Sequence, residues 1–114
     1  MSGSELNINY TIKNNYIIVY PEERLDLSSS AYLEKSLRSL CQEYPDKNII
    51  INLSRVPFIN SAAIGVILLF SRQLASTNLS LKVTNLNDNV KKIINILEAE
   101  DLIDIYEDEE KAME

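Results

Sequence analysis

Apolar and polar positions along this chain follow two periods, one of strands and one of helices. Near the start, apolar residues occupy every second position, which is typical of a half-buried strand: Leu6, Ile8, Tyr10 and Ile12. Asn14-Asn15 indicates a short turn, and a β-rich run from Tyr16 to Tyr20 follows it. Two strands joined by so short a turn are expected to be antiparallel neighbours.

Helical spacing follows the second strand. Residues 22–27 form a predicted loop, and Asp26 with the serines at 28–30 offers caps for a helix that reaches about Glu43. The predicted buried stripe of this helix consists of Leu33, Leu37, Leu40, Cys41 and Tyr44. Because Cys41 lies on this stripe, we expect it to fill the core rather than to act as a reactive thiol.

The second half of the chain continues this alternation. The run NIIINL at residues 48–53 has few polar breaks, which favours a central strand covered on both faces. The elements expected after it are a helix from Ser61 to about Ser76, a strand from Leu79 to Asn85, a helix capped by Asn87 or Asp88 with the stripe Val90, Ile93, Ile94 and Leu97, a short edge strand with Leu102, Ile103 and Ile105, and an acidic helix over 107–113.

The resulting order β-β-α-β-α-β-α-β-α predicts a single α/β domain over residues 1–114. We expect a small mixed β-sheet of about four to five strands with about four helices, in which the crossovers are right-handed and the strands after them parallel. The core covers about residues 6–105, and about 106–114 form an acidic helix or tail. The pattern leaves open whether the helices cover one face of the sheet or both.

The helix from Ser61 is unusual because its segment AAIGVILLF has no polar stripe. Such a helix is either buried on two sides or presents an apolar outer face to a partner. Val66 and Leu69 have no evident place in one amphipathic stripe, so both are candidates for the outer face. Gly65 costs up to about 1 kcal/mol relative to alanine inside a helix, so we expect another backbone to approach it closely.

The net charge of −6 is concentrated at one end of the chain. Residues 98–114 hold nine acids and one base, whereas the other 97 residues hold eight acids and ten bases. Nucleic acid would be repelled by the acidic end, so we expect no direct nucleic-acid binding. The acidic end is either a solvated segment that aids solubility or an electrostatic contact with a basic partner.

Composition excludes most catalytic chemistry. With one cysteine and no histidine, the chain has no internal disulfide, no Cys/His zinc site and no histidine-activated nucleophile, so we expect no enzyme activity, cofactor or metal. The N-terminus lacks a basic region followed by an apolar run, and the longest apolar run, 62–70, is far shorter than the roughly 20 residues of a membrane span. We therefore expect a cytoplasmic protein without membrane insertion.

The segment NIIINLSRVPFINSAAIGVILLFSRQL resembles the central part of the STAS domain, and it is most similar to the bacterial anti-sigma factor antagonists. In that family a buried strand and a short loop precede a phosphoacceptor serine, two small residues, an apolar residue and a glycine. Ser61 stands at the phosphoacceptor position, Ala62-Ala63 at the small pair and Gly65 at the glycine. Asn60 replaces an aspartate that is common before the serine.

A second similarity lies upstream, where Leu25-Asp26 matches a Leu-Asp pair that precedes the first helix in the family. The residues that the resemblance and the helix pattern assign to partner binding are Asp26, Asn60, Ser61, Ala62, Gly65, Val66 and Leu69. Considered without the resemblance, Asp26 and Ser61 are expected to be helix caps. For Ser61 this role is compatible with phosphorylation, because a phosphate is favoured at the positive end of a helix dipole.

The resemblance implies a regulator rather than an enzyme. In its unmodified form it binds an anti-sigma factor with serine kinase activity and so frees a sigma factor. The kinase uses ATP and Mg²⁺ to phosphorylate the serine, and a metal-dependent serine phosphatase reverses the modification. Two other roles stay open: a STAS scaffold that binds partners constitutively, and a subunit that is docked on a membrane transporter through the apolar face of the helix from Ser61.

Overall fold

A computed structural model describes residues 8–114, so Leu6 of the expected first strand lies outside the described residues. The elements are β1 (Asn9–Lys13), β2 (Tyr16–Tyr20), α1 (Leu27–Glu43), β3 (Asn48–Asn52), α2 (Ser61–Ala75), β4 (Leu81–Thr84), α3 (Asp88–Ile96), β5 (Ile105–Tyr106) and α4 (Glu109–Ala112). The predicted α/β class and the predicted order of elements are confirmed.

The five strands form one mixed sheet in the order β1-β2-β3-β4-β5. β1 and β2 pair antiparallel, whereas every later pair is parallel, as the helical connections predict. The tight turn between β1 and β2 uses Asn14 at φ 56, a left-handed conformation that asparagine tolerates well. β5 is shorter than expected, since it contains Ile105 but neither Leu102 nor Ile103. Ile103 is buried ahead of the strand, and Leu102 is exposed.

β3 is the centre of the sheet, as its apolar run predicts. Ile49, Ile50 and Ile51 are all fully buried. Alternate side chains of a strand point to opposite faces, so Ile49 and Ile51 lie in the large core with α1, α2 and α3, and Ile50 lies in a second, small core. Helices therefore cover both faces of the sheet, with α4 on the second face.

The predicted stripe of α1 packs as its spacing indicates. Leu33, Leu37 and Leu40 are buried, and Cys41 and Tyr44 are partly buried against the same core. Burial raises the pKa of the Cys41 thiol, so the protonated form is favoured further. This agrees with a packing role for the cysteine.

The acidic C-terminal segment is not a solvated tail, and that interpretation of the sequence is wrong. Ala112 of α4 is fully buried against Ile18 and Ile50 of the second face. Four further side chains pack partly buried around these three: Tyr16, Tyr20, Tyr106 and Met113. A single small residue in the acidic sequence is the contact point, which explains why hydrophobic periodicity did not reveal the docking.

Polar contacts fix α4 at both ends. The amide Nδ2 of the buried Asn52 donates to Glu109 Oε2 at 2.6 Å. Lys82 Nζ donates to the carbonyl of Ala112 at 2.6 Å, and this ammonium lies 5.0 Å from the ring centroid of Tyr106. Burial and the Glu109 carboxylate raise the pKa of Tyr20 to about 12, so its phenol stays neutral under the helix at neutral pH. A cation at the C-terminal carbonyls also favours the short helix electrostatically.

Deleting residues 107–114 should therefore destabilise the domain. The deletion exposes Ile18 and Ile50, and each buried isoleucine contributes about 1.5–3 kcal/mol. We expect a loss of at least about 2 kcal/mol, or roughly 8 °C in Tm, measured by thermal and urea unfolding. The control is Lys111→Ala, whose exposed ion pair with Glu107 should contribute less than about 1 kcal/mol. An unchanged Tm in the deletion would show that α4 does not stabilise the sheet.

Candidate functional site

Two loops are joined side by side at the edge of the sheet where the parallel strands end. Leu25 and Ile59 form an isolated parallel bridge. The N–H of Leu25 donates to the carbonyl of Phe58 at 2.7 Å, and the N–H of Asn60 donates to the carbonyl of Leu25 at 3.1 Å. Because α1 and α2 begin immediately after these loops, the structure brings the start of α1, with Asp26, close to Asn60 and Ser61.

The loop before α2 is also held from the side of α3. Asn87 caps α3 by accepting from the N–H of Val90 at 2.8 Å, and its Nδ2 donates to the carbonyl of Val56 at 2.8 Å. Asn89 Nδ2 donates to the carbonyl of Pro57 at 3.0 Å. Hydrogen bonds from two directions thus fix the backbone that leads to Ser61.

Asp26 is the N-cap of α1, as expected from the sequence. Its carboxylate accepts from the N–H of Ser29 at 3.2 Å, while its own N–H donates to the Ser29 hydroxyl at 2.9 Å, which completes a capping box. The pKa of Asp26 is lowered by the hydrogen bond from the backbone N–H of Ser29 and by a second bond in which the Ser29 hydroxyl donates to Asp26 Oδ1 at 3.0 Å. Asp26 is therefore ionised at neutral pH, and its carboxylate is already engaged within its own helix.

The expected capping role of Ser61 is wrong, because Asn60 is the N-cap of α2. Asn60 Oδ1 accepts from the N–H of Ala63 at 3.2 Å, and Ser61 is the first residue of the helix. The asparagine at the family's usual aspartate position can cap a helix equally well. Ser61 itself is exposed, and its hydroxyl has no hydrogen-bond partner among residues 8–114.

One face of α2 is exposed and follows helical spacing from Ser61. Ser61 and Gly65 are exposed, Ala62 is half-exposed, and Leu69 has 45% of its surface accessible. Val66 is only 8% exposed and lies in the large core, so its assignment to the outer face is wrong. The apolar helix is buried on the sides that face α1 and the sheet, as one interpretation expects, and it also leaves a narrow exposed face.

Gly65 does not have the structural reason that was expected. A Cβ atom built at this position would meet nothing within 4 Å, so no other backbone segment of residues 8–114 approaches it closely. The residue therefore leaves a flat, open place on the outer face one turn after Ser61. Alanine would fit here and would favour the helix, so the fold alone does not require glycine.

Leu27 is a surface residue that the sequence pattern did not single out. It is the first residue of α1, directly after Asp26, and 74% of its surface is exposed. Its position away from the stripe formed by Leu33, Leu37 and Leu40 was the available signal. An aliphatic side chain this exposed, beside the paired loops, extends the candidate surface from α2 to the start of α1.

Capping distinguishes Asn60 from its neighbour in a stability measurement. Asn60→Ala should cost about 1 kcal/mol, because the N–H of Ala63 loses its acceptor. Ser61→Ala should change the free energy of unfolding by less than about 0.5 kcal/mol, since the exposed hydroxyl bonds nothing in residues 8–114. Urea unfolding of both variants measures the difference. Equal losses would return the capping role to Ser61.

Asp26 should make the stability of the domain depend on acid pH. Its pKa is lowered on folding, so its stabilisation is fully present above its unfolded pKa of about 3.9 and is lost as the pH falls through the lower folded value. In the variant Asp26→Asn the new side chain can also cap the helix, but it does not titrate. The Tm of Asp26→Asn relative to the wild type should thus rise as the pH falls below about 4. A pH-independent difference would contradict the assigned hydrogen bonds.

Comparisons with known proteins agree with this architecture. TM1081 of Thermotoga maritima superimposes with a TM-score of 0.84 at 22% identity, over 96% of this chain and 93% of that one. The anti-sigma factor antagonist SpoIIAA in its unphosphorylated form gives 0.76 at 17% identity, over 93% and 92%. Murine Slc26a9, an anion transporter, gives 0.70 at 12% identity, over 87% of this chain and 17% of the transporter. At these identities the likeness establishes the fold.

No curated protein sequence matches the chain significantly. Within residues 8–114, no helix combines the length and the apolar character that crossing a membrane requires. The family model described as STAS domain matches residues 7–112, which include the whole sheet, both paired loops and α4 up to Ala112. The chain therefore belongs to the STAS domain family.

Proposed function

We propose that this protein is an anti-sigma factor antagonist that is controlled by phosphorylation of Ser61. The observation that carries the proposal is the position of Ser61: an exposed serine at the start of α2, with no hydrogen-bond partner among the described residues and with an open face beside it. A serine that a kinase modifies must enter the active site of that kinase, so its hydroxyl has to be accessible. Ser61 satisfies this requirement without any rearrangement of the fold.

A phosphate on Ser61 would be compatible with the folded domain. The first N–H groups of a helix lack intrahelical acceptors, and Asn60 takes that of Ala63. A phosphate at this end interacts favourably with the helix dipole and with the remaining N–H groups. The first turn of α2 contains no acidic residue that would repel it.

The same phosphate would change the surface that a partner meets. It adds close to two negative charges beside an outer face made of Ala62, Gly65 and Leu69. An apolar or acidic partner surface that fits the unmodified face would have to desolvate or repel this charge. A tenfold loss of affinity corresponds to about 1.4 kcal/mol, which a single misplaced charge at an interface readily supplies.

The proposed partners are those that the resemblance to anti-sigma factor antagonists implies. An anti-sigma factor with serine kinase activity binds the unmodified surface and transfers phosphate to Ser61, and a metal-dependent serine phosphatase restores the free serine. The chain provides the substrate residue and the docking surface, and its partners provide the catalysis. We place this exchange in the cytoplasm, where it would regulate sigma-factor-dependent transcription.

A second candidate is constitutive binding, as a scaffold or as a subunit associated with a transporter. The supporting observation is that the same fold recurs within the anion transporter Slc26a9, where it accounts for a small part of a much longer chain. In this role the face with Gly65 and Leu69 binds its partner permanently, and Ser61 is a surface residue. The two candidates differ in whether a charge at Ser61 controls binding.

Ser61 should be the site of modification. Incubated with its cognate kinase, ATP and Mg²⁺, the protein should gain one phosphate, and Ser61→Ala should gain none, as measured by intact-mass spectrometry. Ser54 is a suitable internal comparison because it is also exposed and lies in the same loop region. Phosphate on Ser28 or Ser54 in place of Ser61 would refute the proposed switch.

A fixed charge should imitate the modified state. Ser61→Asp should weaken binding to the anti-sigma factor by more than tenfold with little change in Tm, because the residue is exposed. Gln73→Asp places the same charge on an exposed position near the other end of α2 and should leave the affinity unchanged. Isothermal titration calorimetry measures both. Wild-type affinity in Ser61→Asp would favour the constitutive scaffold.

A further inference from the structure

The segment from the end of α3 to β5 exposes an unusual amount of apolar surface. Seven large hydrophobic side chains are exposed among residues 8–114, and three of them lie between residues 96 and 102. Ile96, Leu97 and Leu102 are 70%, 45% and 63% exposed, respectively. Single exposed hydrophobic residues are common on protein surfaces, whereas exposed apolar residues that lie together are characteristic of interaction surfaces. These three fall within seven consecutive residues of the chain.

This turn has a defined backbone. The N–H of Ala99 donates to the carbonyl of Ile94 at 3.0 Å, and that of Glu98 donates to the carbonyl of Asn95 at 2.9 Å, which is a Schellman motif at the end of α3. Ala99 and Ile94 are both buried and provide the apolar contact of the motif. Ala99 and Ile94 thus fill the core positions of the turn, and most of the surface of Ile96 and Leu102 and nearly half of that of Leu97 stay exposed.

Glu98 occupies a position that the fold does not favour for glutamate. Its φ is +55°, and the other residues with positive φ in residues 8–114 are asparagines, at 14, 78 and 85. Glycine is the usual residue at this place in a Schellman motif, because a side chain is strained there. The backbone conformation therefore does not account for a glutamate at position 98, where the carboxylate is exposed.

The charge around the apolar group is acidic. Residues 96–104 contain four acids and no base, and all four acids are exposed. The last bases before the turn are Lys91 and Lys92, at least one helical turn earlier. A surface of this kind repels nucleic acid and anionic lipid.

We propose that residues 96–104 form a docking surface for a basic amphipathic helix of a partner protein. The apolar stripe of that helix packs on Ile96, Leu97 and Leu102, and its lysine or arginine side chains face the exposed acids Glu98, Glu100 and Asp101. Helices with one apolar and one charged face are recognised in this way by an apolar surface with a complementary charged rim.

This surface is separate from the one around Ser61. α3 begins beside the loop that precedes α2, because its cap Asn87 donates a hydrogen bond to Val56 of that loop. The chain then continues from the other end of α3 to β5. β3, β4 and β5 are parallel, so the turn before β5 lies at the amino ends of these strands. Ser61 follows β3 and therefore lies at the opposite, carboxyl ends. Two partners can therefore bind at once, and the inference does not rest on the proposed function.

The test uses a fluorescein-labelled 18-residue peptide of leucine and lysine with the leucines at helical spacing, titrated against the full chain by fluorescence anisotropy. A scrambled peptide of the same composition shows the contribution of charge alone. The double variant Leu97→Gln, Leu102→Gln keeps every charge and replaces only exposed side chains, so it should fold normally. Ile12→Gln is the matched control, because Ile12 is also an exposed aliphatic residue, on β1.

We expect the wild type and Ile12→Gln to bind the amphipathic peptide at least tenfold more tightly than the scrambled peptide. The double variant should bind the amphipathic peptide at least tenfold more weakly than the wild type and Ile12→Gln do. Glu98→Gly should raise or preserve Tm, since it relieves the left-handed conformation, and should weaken binding and its dependence on salt. Equal binding of both peptides, or wild-type affinity in the double variant, would overturn the proposal. So would a dimer in sedimentation that the double variant abolishes, because the occupant would then be a second copy.

Discussion

The need to shield β3 from water on both faces explains how the helices are arranged around the sheet. Three consecutive isoleucines, Ile49 to Ile51, point alternately to opposite faces of the sheet, so a layer on one face alone would leave Ile50 in water. The three longer helices cover one face, and α4 has to cover the other. The acidic segment therefore packs on the domain because β3 needs cover on its second face. The contact between Asn52 of β3 and Glu109 of α4 joins residues that are 57 positions apart.

At the candidate site, too, contacts that belong to the fold hold the functional segment in place. The bridge between Leu25 and Ile59 and the side-chain bonds of Asn87 are part of the fold, and they also fix the backbone on which Ser61 stands. Ser61 contributes nothing to that network in the described residues, whereas Asn60 and Asp26 carry the caps. In the proposed switch, this separation of roles lets a kinase modify the serine while the helix that presents it stays intact.

Two surfaces of different chemistry lie at opposite edges of the sheet. Around Ser61 the exposed residues are small or aliphatic, and Gly65 leaves room that residues 8–114 do not fill. At the end of α3 the exposed residues are aliphatic within an acidic rim. A partner that avoids negative charge suits the first surface, and a basic partner suits the second. In the roles proposed above, the domain connects two proteins through these two surfaces.

Local sequence signals were enough to predict the order of elements, the antiparallel start, the central place of β3 and the segment that contains Ser61. These features depend on hydrophobic period, turn residues and caps, which act over a few neighbouring positions. Only the packed domain showed that Val66 is buried while Leu69 is exposed, that Leu27 is on the surface and that Ala112 anchors α4. The N-cap of α2 is also Asn60 and not Ser61 as predicted, a difference of one residue that helix-capping propensities do not resolve. The exposure of a side chain depends on which distant elements pack against it, and that information is not contained in the period of its own helix.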